Sequence, residues 1–281
     1  MCARLEGRSV IEIKGVDATK LLQGLVTSDV SRLQASSDCQ PTVFLNTKGR
    51  VLADGLLTKA DDNSYLLDCP LPVLQQLIRH IKVYKLRSKA AVTDCSNSLA
   101  VVVGGASLPD APAAADFTTV LGNLRGLQGA VISSMDPRCS TLGARAIVSR
   151  EVSWEGLGCC TRITESEYDT VRLSHGVAEG RELLERTPLE CDLDLLGYIS
   201  FTKGCYLGQE LTARTHFKGV VRKRVLPVII TDQHYSLPRL PSAAELPPQS
   251  IRLSGATPAA VAEGVDIVCG ADKLRSATAK Q

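Results

Sequence analysis

Phe201-Thr202-Lys203-Gly204-Cys205-Tyr206-Leu207-Gly208-Gln209-Glu210, continued by Leu211-Thr212-Ala213-Arg214-Thr215, sets one cysteine between two glycines. A lysine precedes the cysteine by two residues and Gln-Glu follows. Gly204 and Gly208 permit backbone with φ > 0 and close approach of a ligand, so the stretch predicts a loop that displays Cys205 rather than packing it. Lys203 and Arg214 are placed to favour the thiolate. A displayed thiolate can serve as nucleophile, redox switch or soft-metal ligand. A nucleophile needs a base. His216 lies eleven residues on and His175 thirty before, and neither spacing is diagnostic, because such partners meet in space. An iron–sulfur cluster usually takes four protein ligands, so a cluster at Cys205 has to be completed by another protein or a small thiol. The plain alternative is a Gly-rich turn whose cysteine fills space. The basic run Lys218, Arg222, Lys223, Arg224 follows at once. It reads either as a landing site for carboxylates or as a solvated strand edge blunted against aggregation.

Composition bounds the class of partner. A chain of 281 residues is long enough for a large core and two or three domains. Its 44% hydrophobic and 22% charged residues are those of a globular protein. Net charge is +2 and aromatics make up 4%, so the basic, aromatic-rich face that nucleic acid requires is not expected. The longest apolar run, Leu99 to Val103, is far too short to cross a bilayer, and no membrane insertion is expected. The ten cysteines, among them the vicinal pair Cys159-Cys160, are scattered with no C-x-x-C pair. That usage fits a reducing compartment and mostly buried thiols. Met1 to Arg8 leads directly into Ser9-Val-Ile-Glu-Ile13 with no apolar h-region and no acid-free Arg/Ser-rich stretch. The expectation is a cytosolic protein, or one whose leader is missing from this version.

Periodicity sets out the elements. Val10 to Ile13 reads as a strand ended by Gly15, and Asp17 is placed to cap a helix to Leu25. Thr42–Leu45 and Arg50–Thr58 read as strands around the turn Asn46-Thr47-Lys48-Gly49, with a third strand at Tyr65–Cys69. Pro70–Val83 reads as a helix with Leu74, Leu77, Ile78 and Ile81 inward and Pro72 in its first turn. Further strands are expected at Ala90–Thr93, Ala100–Val103, Ala130–Ser133 and Arg145–Ser149, with a loop over Ser107–Ala115. Glu165–His175 reads as a helix with Tyr168, Val171 and Leu173 inward and Gly176 at its C-cap. Pro188–Gly197 reads as extended and apolar, and Val225–Ile230, Ile251–Leu253 and Asp266–Cys269 as strands. Ser236–Pro248, with four prolines, reads as irregular. The class is α+β with antiparallel sheets, followed by a small all-β C-terminal part.

The ten residues Phe201 to Glu210 resemble the signature of the YgfZ-like family, which is related to the glycine-cleavage T-protein. The continuation to His216 and then Gly219-Val-Val-Arg-Lys-Arg224 is similar to its mitochondrial branch, an iron–sulfur cluster assembly factor acting late in [4Fe–4S] maturation. Leu22–Val30, Phe44–Arg50 with Asp54, Asp136-Pro137-Arg138, Leu142–Arg145, Gly176–Gly180 and Pro188-Leu189-Glu190 resemble other family segments. The resemblance runs from about Arg4 to Leu226. It implies a T-protein-like multidomain ring of antiparallel sheets with packed helices and a C-terminal β-barrel, here expected to be truncated. The expected divisions are 1–88, 89–160, 161–226, which completes the folate-type domain, and a short, incomplete 227–281. It also implies tetrahydrofolate as ligand, a transient shared iron–sulfur cluster, A-type iron–sulfur carrier proteins as partners, and a chain that is monomeric when alone. The location implied is the mitochondrial matrix, with the leader absent from this chain. The functional signature carried over is Lys203, Gly204, Cys205, Tyr206, Gly208, Gln209 and Glu210, with Cys205 as shared metal ligand and Arg145, Arg214 and Arg222 as candidate folate or anion contacts.

The chain also departs from the family. The T-protein uses an aspartate shortly after the strand corresponding to Tyr65–Cys69, and Pro70–Val83 contains neither Asp nor Glu. Where the T-protein holds the pterin with an acidic segment, this chain has Leu142-Gly143-Ala144-Arg145, and Ala and Arg cannot accept the pterin's N–H groups. Only 57 residues follow Arg224, few for a barrel. The sequence therefore favours an assembly factor without classical turnover. A folate-dependent aminomethyl transferase and a Cys205-nucleophile enzyme remain as the alternatives.

Overall fold

Strands buried on both faces build two antiparallel sheets that share one interior. The computed structural model describes residues 1–106, 117–152 and 161–227, together with the segments 229–230, 235–236, 266–267 and 277–278. The first sheet contains β2 (Arg8–Lys14), β3 (Cys39–Leu45), β4 (Val51–Asp61), β5 (Ser64–Pro70) and β6 (Ala91–Asp94), in the order β3-β4-β5-β2-β6. The second contains β1 (Cys2–Leu5), β7 (Leu99–Gly104), β8 (Ala130–Met135) and β9 (Ala144–Ser149), in the order β1-β7-β9-β8. The chain thus begins in the second sheet, Cys2 opposite Gly104, before entering the first.

Alternate residues of each strand point to opposite layers. Val10 and Leu66 of the first sheet face Val101, Val103 and Ile147 of the second. Their neighbours Ile11, Ile13, Tyr65 and Leu67 turn outward under α1 (Ala18–Leu25) and α2 (Leu74–Lys85). Ala100, Val102, Ala146 and Val148 turn outward under α3 (Phe117–Gly126). The result is helix, sheet, sheet, helix. α4 (Glu165–Ser174) sends Tyr168 and Val171 into the central layer, and so does the turn-rich segment after it, through Leu183, Leu189, Leu193 and Tyr198.

α2 buries Leu74, Leu77, Ile78 and Ile81, the four residues its periodicity predicts. A helix of 12 residues is marginal by itself, so burial of this stripe, about 2 kcal/mol per side chain, is what holds it. Pro72 sits in a single 3-10 turn, Leu71–Val73, just ahead of α2. α4 carries a capping box, Thr164 with Glu167, and closes on Gly176 at φ +72° as expected. Leu173 is only half-buried.

Three expectations are corrected. Asp17 precedes α1 but does not cap it; its carboxylate accepts the Lys89 N–H at 2.6 Å instead. Pro188–Gly197 is not extended. It opens with the 3-10 turn Pro188–Cys191, closed by a Thr187–Glu190 capping box, and continues through Asp192 in the left-handed region. The strand expected from Val225 to Ile230 narrows to β10 (Ile229–Ile230), paired with β11 (Tyr235–Ser236). Farther on, β12 (Asp266–Ile267) pairs with β13 (Ala277–Thr278). The loop expected at Ser107–Ala115, the strand at Ile251–Leu253, most of the proline-rich stretch and the C-terminal barrel lie outside the described residues.

Gly143 links the turn before β9 to the second sheet. Its φ is +74°, a Cβ there would lie 2.2 Å from the Gly104 carbonyl oxygen, and its own carbonyl accepts the Asp136 N–H at 2.8 Å. Gly143→Ala is expected to cost more than the roughly 1–3 kcal/mol of backbone strain alone. Urea unfolding measures it, and an unchanged midpoint would refute this account of the turn.

Candidate functional site

The loop carrying Cys205 is pinned on both flanks. Upstream, Ser200 N–H donates to the Thr27 carbonyl at 2.9 Å, and the Thr27 hydroxyl donates to the Tyr198 carbonyl at 2.7 Å. Lys203 Nζ donates to the carbonyls of Val26 and Ser28, both at 2.8 Å. Downstream, Leu207 N–H donates to the Gly24 carbonyl at 3.0 Å, and Gln209 Oε1 accepts the Tyr206 N–H at 3.1 Å. Tyr206 is buried in the central layer. Gly208, at φ +79°, precedes α5 (Gln209–Lys218), and a Cβ on it would lie 2.5 Å from the Asn46 carbonyl oxygen. The hairpin turn and the start of α5 therefore touch backbone to backbone. Gly204 does not use φ > 0, contrary to expectation, and nothing lies within 4 Å of where its Cβ would be. Between the two anchors Cys205 is exposed as a free thiol.

The functional groups expected to support the thiolate point elsewhere. Lys203 serves the α1 end of the fold rather than Cys205. Burial lowers its pKa to about 8, against the opposing pull of Asp29. Arg214 pairs with Glu210 on the exposed side of α5, where both line a surface depression of about 220 Å³ with Thr47, Lys48, Gly49 and Leu211. His216 is stacked on Phe201, with ring centroids 3.6 Å apart. His175 bonds through Nδ1 to Thr141, at 3.2 Å. In the basic run, Arg224 is held by Asp192 at 2.9 Å and Asp194 at 2.7 Å, while Lys218 and Arg222 are exposed. Arg145 lies inside the protein, so the three arginines singled out by resemblance do not form one site.

The sequence did not foresee the buried ionic layer between the sheets. Arg8 Nε donates to Asp68 Oδ1 at 2.7 Å, and its Nη1 to Asp54 Oδ2 at 2.9 Å and Glu179 Oε2 at 3.1 Å. Arg138 grips Asp136 through Nε and Nη2 and Glu179 Oε1 through Nη1. Arg145 Nε donates to Asp68 Oδ2 at 2.6 Å, and its Nη1 to Tyr168 Oη at 3.1 Å and Glu179 Oε1 at 3.4 Å. Burial alone would push the Glu179 carboxyl up in pKa, but Arg138, Arg8, Arg145 and Arg172 hold it well below the usual carboxylate range. Asp54, Asp136, Arg138, Arg145 and Glu179 lie in the family-like segments, and here they converge.

This layer also tests the fit of a pterin at Leu142–Arg145. The Arg145 guanidinium is engaged by carboxylates. The cavity beside it, lined among others by Cys39, Thr58, Asp68 and Ser133, measures about 10 Å³. That is room for about one water, where organic ligands take pockets of roughly 300–1,000 Å³. The residues of this stretch do not fit a pterin. Nor does α2 bring a carboxylate to the interior, and Asp68 in β5 is spent on Arg8 and Arg145.

Comparison with known proteins agrees with the fold and narrows the family. Residues 7–107 match the family described as GCVT N-terminal domain. The human mitochondrial iron–sulfur cluster assembly factor IBA57 is 35% identical over 249 residues, covering 82% of this chain and 67% of that protein. The IBA57 homologue of Mycosarcoma maydis is 37% identical over 240 residues, covering 80% and 56%, and that of Dictyostelium discoideum is 32% identical over 257 residues, covering 81% and 62%. The chain thus spans 56–62% of the length of these two homologues, less than two thirds. The crystal structure of the glycine cleavage system aminomethyltransferase T from Bartonella henselae superposes with a TM-score of 0.54 at 14% identity, covering 78% of this chain and 63% of that one, which shows a shared fold.

Two outcomes follow from this geometry. Glu179 is ionised in the folded protein well below the pH at which it ionises in the unfolded chain. Its contribution is therefore present above the unfolded value, about pH 4.3, and is lost as pH falls toward the folded one. Glu179→Gln should flatten the acid limb of stability against pH by up to about 1.4 kcal/mol per pH unit, and should destabilise by roughly 3–5 kcal/mol at pH 7. Urea titrations between pH 3 and 7, a window of roughly the carboxylate range, decide it. Lys203→Met should leave the global melting point within a few degrees while amide exchange over 200–206 rises about tenfold, the equivalent of about 1.4 kcal/mol of lost tethering. Unchanged exchange would mean that the ammonium tether is not what positions the loop.

Proposed function

The chain belongs to the family of IBA57 iron–sulfur cluster assembly factors, and on that premise we propose that it acts in mitochondrial iron–sulfur cluster assembly. The observation that carries the reading is Cys205, exposed as a free thiol in a loop whose neighbours on both sides are fixed. A thiolate displayed this way meets a metal centre carried by another protein without reorganising its backbone. A cluster usually needs four protein ligands and Cys205 supplies one, so the others come from the partner. The cluster is cargo, held jointly during hand-over. An A-type iron–sulfur carrier is the partner we propose, and the [4Fe–4S] pathway in the mitochondrial matrix the setting. The names of the relatives support the assembly role and the organelle.

Tetrahydrofolate is the ligand that a T-protein-like fold suggests. It finds no fit at Leu142–Arg145, and the proposed hand-over does not pass through it. Of the two histidines weighed as bases for Cys205, His216 is stacked on Phe201 and His175 is bonded to Thr141, which favours the ligand reading over nucleophilic turnover.

Anaerobic mixing of the full chain with an A-type carrier, iron and sulfide should yield a coloured complex, read by its visible spectrum and native mass. Cys205→Ser should remove that complex while leaving the melting point unchanged, because the thiol is exposed. A mutant complex of unaltered absorbance and mass would eliminate Cys205 as a ligand.

A further inference from the structure

Cys139, Thr141 and His175 form a continuous hydrogen-bonded chain outside the Cys205 loop. Cys139 Sγ lies 2.9 Å from Thr141 Oγ1, and Thr141 Oγ1 lies 3.2 Å from His175 Nδ1. All three residues are half-buried, as Cys95 is, so each keeps part of its surface toward solvent. Cys139 is a free thiol.

The frame around the three is rigid. Cys139 and Thr141 bracket the start of the 3-10 turn Ser140–Leu142, closed by Leu142 N–H donating to the Cys139 carbonyl at 3.1 Å. Immediately before it, Arg138 is locked on Asp136 and Glu179. Immediately after the turn, Gly143 is wedged against Gly104. His175 is the C-cap of α4, its N–H directed to the carbonyls of Val171 and Arg172. The turn and the helix end therefore hold thiol, hydroxyl and imidazole in line without relying on long flexible side chains. With the ring proton on Nε2, Nδ1 accepts from the Thr141 hydroxyl, which in turn accepts from the thiol. A nucleophile within hydrogen-bond reach of a base through one hydroxyl is the arrangement that assists proton removal as a new bond forms.

We propose that Cys139 is a base-assisted thiol that exchanges with small-molecule disulfides, making it a modification site separate from Cys205. In the step, Cys139 Sγ attacks one sulfur of the disulfide. An Sγ–S bond forms and the S–S bond breaks. The thiol proton passes to Thr141 Oγ1 as the Thr141 proton passes to His175 Nδ1, and the departing thiolate is protonated from the imidazolium. One disulfide and one thiol give one mixed disulfide and one thiol, so no further oxidant is needed. A purely structural hydroxyl, bridging the turn to the end of α4, would keep the same distances but give Cys139 no kinetic advantage.

Oxidised glutathione is the probe, applied to the full chain at neutral pH, with adducts located by peptide mapping over time. Cys139 should form its adduct about tenfold faster than the half-buried Cys95, and dithiothreitol should reverse it. Thr141→Val and His175→Gln should each slow Cys139 about fivefold or more while the Cys205 rate stays put, and Thr141→Ser, which keeps the hydroxyl, should restore it. A Cys139 rate equal to that of Cys95, or one that Thr141→Val leaves unchanged, overturns the proposal. His175→Gln perturbs a helix end, but Thr141→Val against Thr141→Ser decides the matter without it.

Discussion

Everything else in this fold is arranged around charge buried between two sheets. Three guanidiniums, of Arg8, Arg138 and Arg145, meet four carboxylates, of Asp54, Asp68, Asp136 and Glu179, in a layer that is otherwise apolar. Such a layer is not there because ions bind sheets better than leucines do. Desolvating each ion costs several kcal/mol, and well-packed apolar residues often hold as well or better. What the ions add is position. Arg8 and Asp68 sit in neighbouring strands of the first sheet, Arg145 in the second, and Glu179 in the segment after α4. Any slip of one sheet against the other, or of the 177–182 segment between them, would leave a charge unpaired at the full desolvation penalty. The layer therefore sets sheet-to-sheet register in a way that Val and Leu could not.

The same layer explains why the signature loop is well placed. Glu179 fixes the chain between α4 and the turns that follow, and Tyr198 is buried in the central layer with its Oη 3.4 Å from Arg138 Nη1. From Tyr198 the connection to the loop is short: its carbonyl takes the Thr27 hydroxyl, and Thr27 takes Ser200. Lys203 then reaches back to the carbonyls on either side of Thr27. The exposed cysteine is thus the free end of a series of contacts that begins deep in the protein. A displayed thiol keeps a fixed position only if its backbone is held, and here the rigidity is supplied from behind.

Which parts of this were legible in the sequence follows from the range of the forces involved. The α2 stripe Leu74, Leu77, Ile78, Ile81 and the Asn46–Gly49 hairpin were readable because periodicity and turn chemistry are local. Pro188–Gly197 was misread as extended because its apolar content was weighed and its spacing was not. Leu189, Leu193 and Leu196 fall at i, i+4 and i+7, which is turn and helix spacing rather than alternation. The ionic layer escaped because its partners lie up to 171 residues apart, as Arg8 and Glu179 do. A signal was present all the same: Arg8 and Asp68 fall, at spacing two, on the strand faces that carry the inward Val10 and Leu66. Sequence proximity likewise assigned Lys203 to Cys205, when its side chain is long enough to find carbonyls 175 residues away.

Cys205 and Cys139 stand in opposite environments for one functional group. Cys205 stands on an open flank, since even a Cβ at Gly204 would meet nothing, and both candidate bases are committed elsewhere. That environment suits a ligand, which needs access and a fixed origin but no assistance, because a metal itself displaces the proton. Cys139 is the reverse case, half-covered and lined up with a hydroxyl and an imidazole. Assisted proton transfer favours bond formation to small electrophiles, and the partial cover disfavours a large partner. On the proposed roles, exchange chemistry at Cys139 would spare Cys205, because a ligand cysteine consumed by disulfide exchange is lost to a cluster.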